Sequence, residues 1–258
     1  LRQWPFYNGP FYNAHSVYCP RLAMADDQID LFASDAAEPL PDTIEYDAIP
    51  TDGQIPIPSG TYGSLDSLTA HCQQCQRCGL AAGRTHVVVS RGNPQAPILI
   101  VGEGPGQQED EQGLPFVGKS GQLLEKILAA VQLDSERDIY ICNVVKCRPP
   151  GNRTPTADES AACKGYLLEQ IRLVDPKIIL LTGATAMKGL IGEKRGITKV
   201  RGQWMQWQDR WCMPIFHPAY LLRNPSRDRG SPKWLMWQDI QAVRAKLDEL
   251  LAAEAAPG

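Results

Sequence analysis

Pro97-Ile98-Leu99-Ile100-Val101-Gly102-Glu103-Gly104-Pro105-Gly106 is the stretch on which the fold turns. Its first half is an unbroken apolar run of strand length, the pattern of a strand buried on both faces of a parallel sheet. Its second half is a glycine-rich loop at the end of that strand. Three more runs of the same kind follow, Ile139–Val145, Lys177–Thr182 and Trp211–Phe216. Helical spacing fills the gaps. Leu123, Leu124, Ile127, Leu128 and Val131 share one side of Gly118–Leu133, and Thr156–Leu173, Ala184–Leu190 and Pro232–Ala253 also read as helices. Ser64 is placed to cap a short helix opened by Leu65-Asp66-Ser67-Leu68. Strands alternating with helices predict an α/β fold, a three-layer α/β/α sandwich around a central, mainly parallel four-stranded sheet. In such folds ligands gather at the carboxyl ends of the strands. The loops placed there carry Glu109-Asp110, Leu114-Pro115-Phe116-Val117-Gly118, Asn143-Val144-Val145-Lys146-Cys147 and His217-Pro218-Ala219-Tyr220-Leu221-Leu222-Arg223.

A chain of 258 residues that is 43% hydrophobic supports one domain with a tail, or two small domains. No run of eighteen apolar residues marks a membrane helix, and no basic stretch leading into an apolar one marks a secretory signal, so a cytoplasmic protein is expected. Residues 1–60, rich in Pro, Asp and Ala, read as a disordered acidic extension, and 61–258 as the folded domain. The net charge of −3 is unevenly spread. Met24–Ala70 holds ten acidic and no basic residues, His71–Gly258 carries +5, and Gly192–Lys233 alone carries +6. A basic C-terminal half suits a polyanionic partner or a solvated charged face. Within the tail, Gln28-Ile29-Asp30-Leu31-Phe32 resembles the bacterial sliding-clamp binding motif, in which Gln28 precedes an apolar plug ending in Leu31 and Phe32.

Eight cysteines without a secretory signal argue for ligation rather than a disulfide framework. Cys72, Cys75 and Cys78 form two overlapping C-x2-C pairs, and Cys147 and Cys163 stand far downstream. Four converging thiolates suit tetrahedral zinc or a 4Fe–4S cluster, and the pattern does not choose between them. Cys142 and Cys212 read as buried core thiols.

With these segments in place, the chain resembles the family 4 uracil-DNA glycosylases, the iron–sulfur class of that superfamily. The likeness runs over about residues 70–245. It rests on Cys75-x2-Cys78 with Leu80 and Arg84, on Gly102–Gly106 with Glu109-Asp110, on Pro115–Gly118, on Asn143–Pro150, on Cys163 and on His217-Pro218. The resemblance implies base excision repair: uracil is flipped out of DNA, its N-glycosidic bond is hydrolysed, and an abasic site remains, with no lyase step. It implies a 4Fe–4S cluster on Cys75, Cys78, Cys147 and Cys163, although Cys72 could compete with Cys75. Phe116 would stack on the base, and Asn143 would pair with uracil O4 and N3–H and reject cytosine. His217 would donate to O2 as charge builds on the leaving base. Backbone groups of Gly102, Gly104 and Gly106 would approach the ring. Glu109 stands where a thymine methyl would go, and either Glu103 or Glu109 would position the water. Leu221 and Leu222 would wedge into the DNA with Arg223 on a phosphate. Lys199, Arg201, Arg227 and Arg229 are further phosphate-contact candidates. The protein is expected to act as a monomer on uracil-containing DNA, in a bacterial cytoplasm at the nucleoid. A dinucleotide-binding oxidoreductase fits poorly, because Gln107 occupies the third glycine position of G-x-G-x-x-G. A non-catalytic metal-bearing nucleic-acid module remains the other rival.

Overall fold

The computed structural model describes residues 50–255. Six strands form one sheet: β1 (Arg91–Gly92), β2 (Ile98–Gly102), β3 (Ile139–Asn143), β4 (Ile178–Thr182), β5 (Met205–Trp207) and β6 (Arg210–Ile215), in the order β1-β3-β2-β4-β6-β5. The four long strands are mutually parallel, as expected. The expected strand count is corrected from four to six, because β1 and β5 add antiparallel edges. These edge strands have two and three residues, too few for a period to show in the sequence. Being short, they also present little unpaired backbone to another chain.

The apolar runs are unbroken because both faces of the sheet are covered. Ile98, Ile100, Ile139, Ile141, Ile178, Leu180, Met213 and Ile215 point one way, into a core completed by α3 (Lys119–Ala129), α7 (Pro218–Arg223) and α8 (Pro232–Ala255). The alternate residues face α4 (Ala157–Val174) and α5 (Ala184–Ile191); Gln170 of α4, for example, hydrogen-bonds the Tyr140 hydroxyl of β3. Helix α4 starts at a reciprocal cap: the Thr156 hydroxyl accepts from the Glu159 amide, and the Glu159 carboxylate accepts from the Thr156 amide. Ser64 caps α1 (Leu65–Gln73) as the sequence suggested, accepting from the Ser67 amide at 3.1 Å. Helix α6 (Ile197–Val200) is a single turn before β5, and α2 (Gln107–Gln112) fills the loop after β2.

The packed chain begins earlier than the expected boundary at residue 61. Ile57 and Tyr62 are buried, and the Glu169 carboxylate of α4 accepts from the Gly60 and Tyr62 amides at 3.0 and 3.1 Å. Buried Arg77 donates to the carbonyls of Pro50, Ile55 and Ala162, tying this segment to α4. The acidic, proline-rich composition hid these anchors, since the hydrogen bonds use backbone groups and two buried side chains, Ile57 and Tyr62, are too few to show a period. Gln28, Leu31 and Phe32 lie outside the described residues.

Candidate active site

Parallel pairing brings four strand ends to one edge. Gly102 lies directly beside Asn143, and Thr182 beside Ile215, so the loops after β2, β3, β4 and β6 open onto a common cleft of about 720 Å³. The chain order reverses between β2 and β4, which is where a doubly wound sheet splits open. Glu103, Gly104, Gly106, Glu109, Phe116, Asn143, His217 and Arg223 all line it. Gly102 lies just beneath.

Asn143 is only 2% exposed, yet its carboxamide has no hydrogen-bond partner among the described residues and faces the cleft. Room for it comes from Gly102: a Cβ there would sit 2.1 Å from the Asn143 Oδ1 and 2.7 Å from the Phe116 ring. The glycine therefore makes space for protein side chains, a use that adds to its expected closeness to a ligand. Phe116 adopts a left-handed backbone (φ 54°), which is costly for a bulky residue. Gly121 of α3 permits it, since a Cβ there would lie 1.7 Å from the Phe116 carbonyl oxygen. The strained turn presents the Phe116 ring in the cleft wall, 5.8 Å from the His217 ring at 28°.

His217 caps α7 with its own ring: Nδ1 accepts from the Ala219 amide at 3.1 Å. An accepting Nδ1 carries no proton, so the neutral ring bears its hydrogen on Nε2. Burial and the nearby Arg223 charge push the His217 pKa down to about 4, against a weaker opposing pull from Glu109. At neutral pH the ring is thus an uncharged donor of fixed tautomer.

The two carboxylates differ in what already holds them. Glu109 accepts from the Gly106 amide at 3.1 Å through Oε2, and from the Val117 and Gly118 amides at 3.0 and 2.8 Å through Oε1. It clamps the Phe116 turn to the glycine loop. Glu103 accepts a short hydrogen bond from the Thr185 hydroxyl at the start of α5 and otherwise faces the cleft. Thr185 was missed by sequence reasoning; its position in the first turn after a strand end was the available signal.

A uracil DNA glycosylase superfamily model matches residues 89–241 of this chain. The type-4 uracil-DNA glycosylase of Thermotoga maritima is 48% identical over 183 residues, covering 70% of this chain and 93% of that protein. Its counterpart from Sulfurisphaera tokodaii is 42% identical over 190 residues, covering 70% and 84%, and that from Saccharolobus solfataricus is 38% identical over 170 residues, covering 63% and 79%. This chain belongs to the type-4 uracil-DNA glycosylases.

In this type-4 chain a second cavity lies on the far side of the Asn143–Cys147 segment. Cys72, Cys75, Cys78, Cys147 and Cys163 line it, together with apolar side chains and with Arg77, Arg84 and Lys146. Cys147 is 7% and Cys163 9% exposed. Burial raises the pKa of Cys78 and Cys147, and pushes Cys163 up to about 12. Arg84 reaches in, 3.5 Å from the Cys147 sulfur and 2.6 Å from the Cys75 carbonyl oxygen. Among the described residues no group of three or more His, Cys, Asp or Glu is set to hold a single metal ion.

The rim corrects two expectations about DNA contact. Leu221 is 1% exposed and belongs to the core with α3 and α8, so it is not a wedge; Leu222 is the exposed neighbour, at 44%. On a helix, consecutive residues point in different directions, and only one of the pair could face out. Arg201 is likewise engaged: its Nε donates to Asp239 Oδ2 at 2.7 Å, Nη2 bonds both Asp239 and the Leu235 carbonyl, and its guanidinium lies over the Phe216 ring. It fixes the β5–α8 side of the fold and does not reach for a phosphate. Arg223 and Lys199 are exposed. No helix among the described residues is long and apolar enough to cross a membrane.

Proposed function

We propose that this chain excises uracil from DNA, releasing the free base and leaving an abasic site. The observation that carries the reading is the buried Asn143 carboxamide, unpartnered and open to the cleft beside an aromatic ring and a neutral imidazole. A flipped uracil stacks on Phe116. Its O4 and N3–H pair with the Asn143 amide, whereas cytosine would leave both groups facing like partners. As the C1′–N1 bond breaks, its electron pair moves onto the base, and His217 Nε2–H donates to O2. A neutral donor suits this step, because it stabilises the anion without first holding a charge in a dry site. Glu103 aligns the water and accepts its proton as the water oxygen joins C1′; Glu109, held by three amides, walls off the space beside C5 against thymine. Leu222 fills the gap in the stack, and Arg223 and Lys199 contact phosphates.

Single-turnover excision from a uracil-containing oligonucleotide tests this. The wild type releases uracil, and Asn143→Ala and His217→Ala are each slower by two or more orders of magnitude. Release by neither wild type nor variants, or by all three alike, overturns the reading. Glu103→Gln beside Glu109→Gln separates the water-positioning carboxylate from the clamp.

Cys75, Cys78, Cys147 and Cys163 are assigned to a 4Fe–4S cluster. The donor set fits: buried thiolates in an apolar cavity are costly unless a cationic core neutralises them, and Arg84 supports the same charge. When bound, the cluster supplies a covalent tie between 75–78 and 147–163. Cys72, buried in the same cavity, stands as a non-ligand; Cys72→Ala retains the brown chromophore. The chain is further proposed to be a cytoplasmic monomer that meets the sliding clamp through Gln28–Phe32. Loss of clamp capture in Leu31→Ala/Phe32→Ala checks the last point.

A further inference from the structure

The segment between cleft and cysteine cavity contains a charge that the reaction described above does not use. Lys146 is 1% exposed. Its Nζ donates to the Asn143 carbonyl at 2.6 Å and to Gln170 Oε1 at 2.5 Å. Gln170 is held in that orientation, because its amide nitrogen donates to the Val89 carbonyl and the Tyr140 hydroxyl. Among the described residues no carboxylate pairs with Lys146. A buried ammonium without a counter-ion is expensive unless something nearby benefits from it. Two negative charges would. On one side Lys146 lines the same cavity as Cys72, Cys147 and Cys163, where thiolates holding a cluster would sit. On the other, the peptide bonded to Lys146 carries the Asn143 side chain into the cleft.

We infer that Lys146 is a positioning residue whose charge, seated behind Asn143, offsets the negative charge building on the departing base and separates it from the charge of the cysteine cavity. This rests on uracil excision being the reaction. Without that charge, an anionic leaving group would form on one side of a thin wall and an anionic thiolate assembly would sit on the other. For unit charges several ångströms apart at an effective dielectric of about 20, such an attraction corresponds to roughly 10- to 100-fold in rate. The hydrogen bond to the Asn143 carbonyl is a separate contribution that fixes where the amide points.

Charge and position are separable by experiment. Lys146→Gln removes the charge but keeps an amide donor, Lys146→Arg keeps the charge, and Gln170→Leu keeps the lysine while removing one of its two acceptors. Each is compared with wild type in single-turnover excision of uracil and of 5-fluorouracil, whose N1 is the better leaving group. Lys146→Gln is expected to slow uracil release roughly 10- to 100-fold and 5-fluorouracil release several-fold less. Lys146→Arg restores most of the rate, and Gln170→Leu slows both bases equally. An independent readout is the cluster's reduction potential, which shifts negative in Lys146→Gln and not in Gln170→Leu. Equal slowing of both bases by Lys146→Gln, with an unmoved potential, overturns the inference while leaving excision intact. Failure of the wild type to release either base would instead remove the proposed function. Should Lys146→Gln fold poorly, the Lys146→Arg and Gln170→Leu pair still decides, since a positional role alone would make arginine no better than the leucine variant.

Discussion

The cleft and the cysteine cavity share a wall only five residues long, Asn143–Cys147, and are built on opposite physical terms. The cleft is broad, polar and rich in hydrogen-bonding groups with capacity to spare: the Asn143 amide, the Nε2 side of His217, and Glu103, which has only the Thr185 hydroxyl as partner among the described residues. The cavity is small and mostly apolar, and the polar groups that line it are cysteine sulfurs, whose ionisation burial resists, together with the side chains of Arg77, Arg84 and Lys146. A fold can keep a polar cleft and a cysteine-lined cavity distinct this close together only if the wall is rigid. Here β3 supplies the rigidity, and Lys146, bonded to Asn143 on one side and to α4 on the other, supplies the brace. The contrast implies that changes on the cavity side act first on stability, and changes on the cleft side first on rate.

The largest expected departure lies on the cavity side. Cys147→Ala or Cys163→Ala should lose the chromophore and unfold far more readily, because ligation that ties distant segments contributes directly to folding. Cys72→Ala, at the same wall but outside the proposed ligand set, should keep the absorbance near wild-type level and lose only packing. Thermal unfolding followed at the cluster band measures both. A chromophore lost with Cys72 and kept with Cys75→Ala would reverse the assignment.

On the cleft side the strongest effect belongs to His217. His217→Ala should cut excision by roughly 10²–10³, with little change in cluster content. The same residue makes a signed prediction for stability. Its native pKa, near 4, lies below the ordinary value of 6.5. As pH falls below 6.5 the unfolded chain takes up a proton that the native state refuses, so stability is lost progressively between about pH 6.5 and 4. The native ring resists that proton chiefly because it is buried, and because the Arg223 charge lies nearby. Denaturant titrations over this window should show a shallower decline for His217→Ala than for wild type. Identical slopes would mean that His217 is ordinarily solvated.

Much of this was legible in the sequence, for identifiable reasons. The long strands announced themselves because burial on both faces demands unbroken apolar runs, and their loops then had to meet at one edge. That rule brought together the loops that carry Phe116, Asn143 and His217, and the resemblance to the family 4 glycosylases singled out the residues themselves. What could not be read were features decided by direction and by pairing. Leu221 and Leu222 have the same chemistry, and only the orientation of α7 buries one and exposes the other. Arg201 looks like any surface arginine until Asp239, thirty-eight positions away, is brought against it. The clamping of Glu109 by three amides and the support of Glu103 by Thr185 depend on turn geometry, which leaves no periodic trace. The edge strands were too short to carry one.

The leucine pair gives an intermediate test of the same division. Leu221→Ala should destabilise the fold by about 2–5 kcal/mol, as for a buried leucine truncated to a cavity, with excision by the surviving folded fraction little altered. Leu222→Ala should leave unfolding within about 0.5 kcal/mol of wild type, as for an exposed position, and instead weaken excision from duplex more than from single-stranded DNA, where no stacked gap has to be filled. A Leu222→Ala variant equally active on both substrates would remove it from the DNA interface.

The smallest effect expected is at Lys199, and it is visible only as a slope. An exposed lysine contacting one phosphate releases about one counterion, so Lys199→Ala should reduce the dependence of log affinity on log salt by about 0.9. Arg201 offers the matched comparison, two positions away and of the same charge. Because it is bonded to Asp239 and the Leu235 carbonyl, its guanidinium is unavailable to DNA, and substituting it should leave the salt slope of the folded protein unchanged. Binding isotherms on an abasic-site duplex at several salt concentrations separate the two. If Arg201 moved the slope and Lys199 did not, the Arg201–Asp239 bond would have to open on DNA. The basic stretch from Gly192 to Lys233 would then reorganise to bind rather than present a fixed surface.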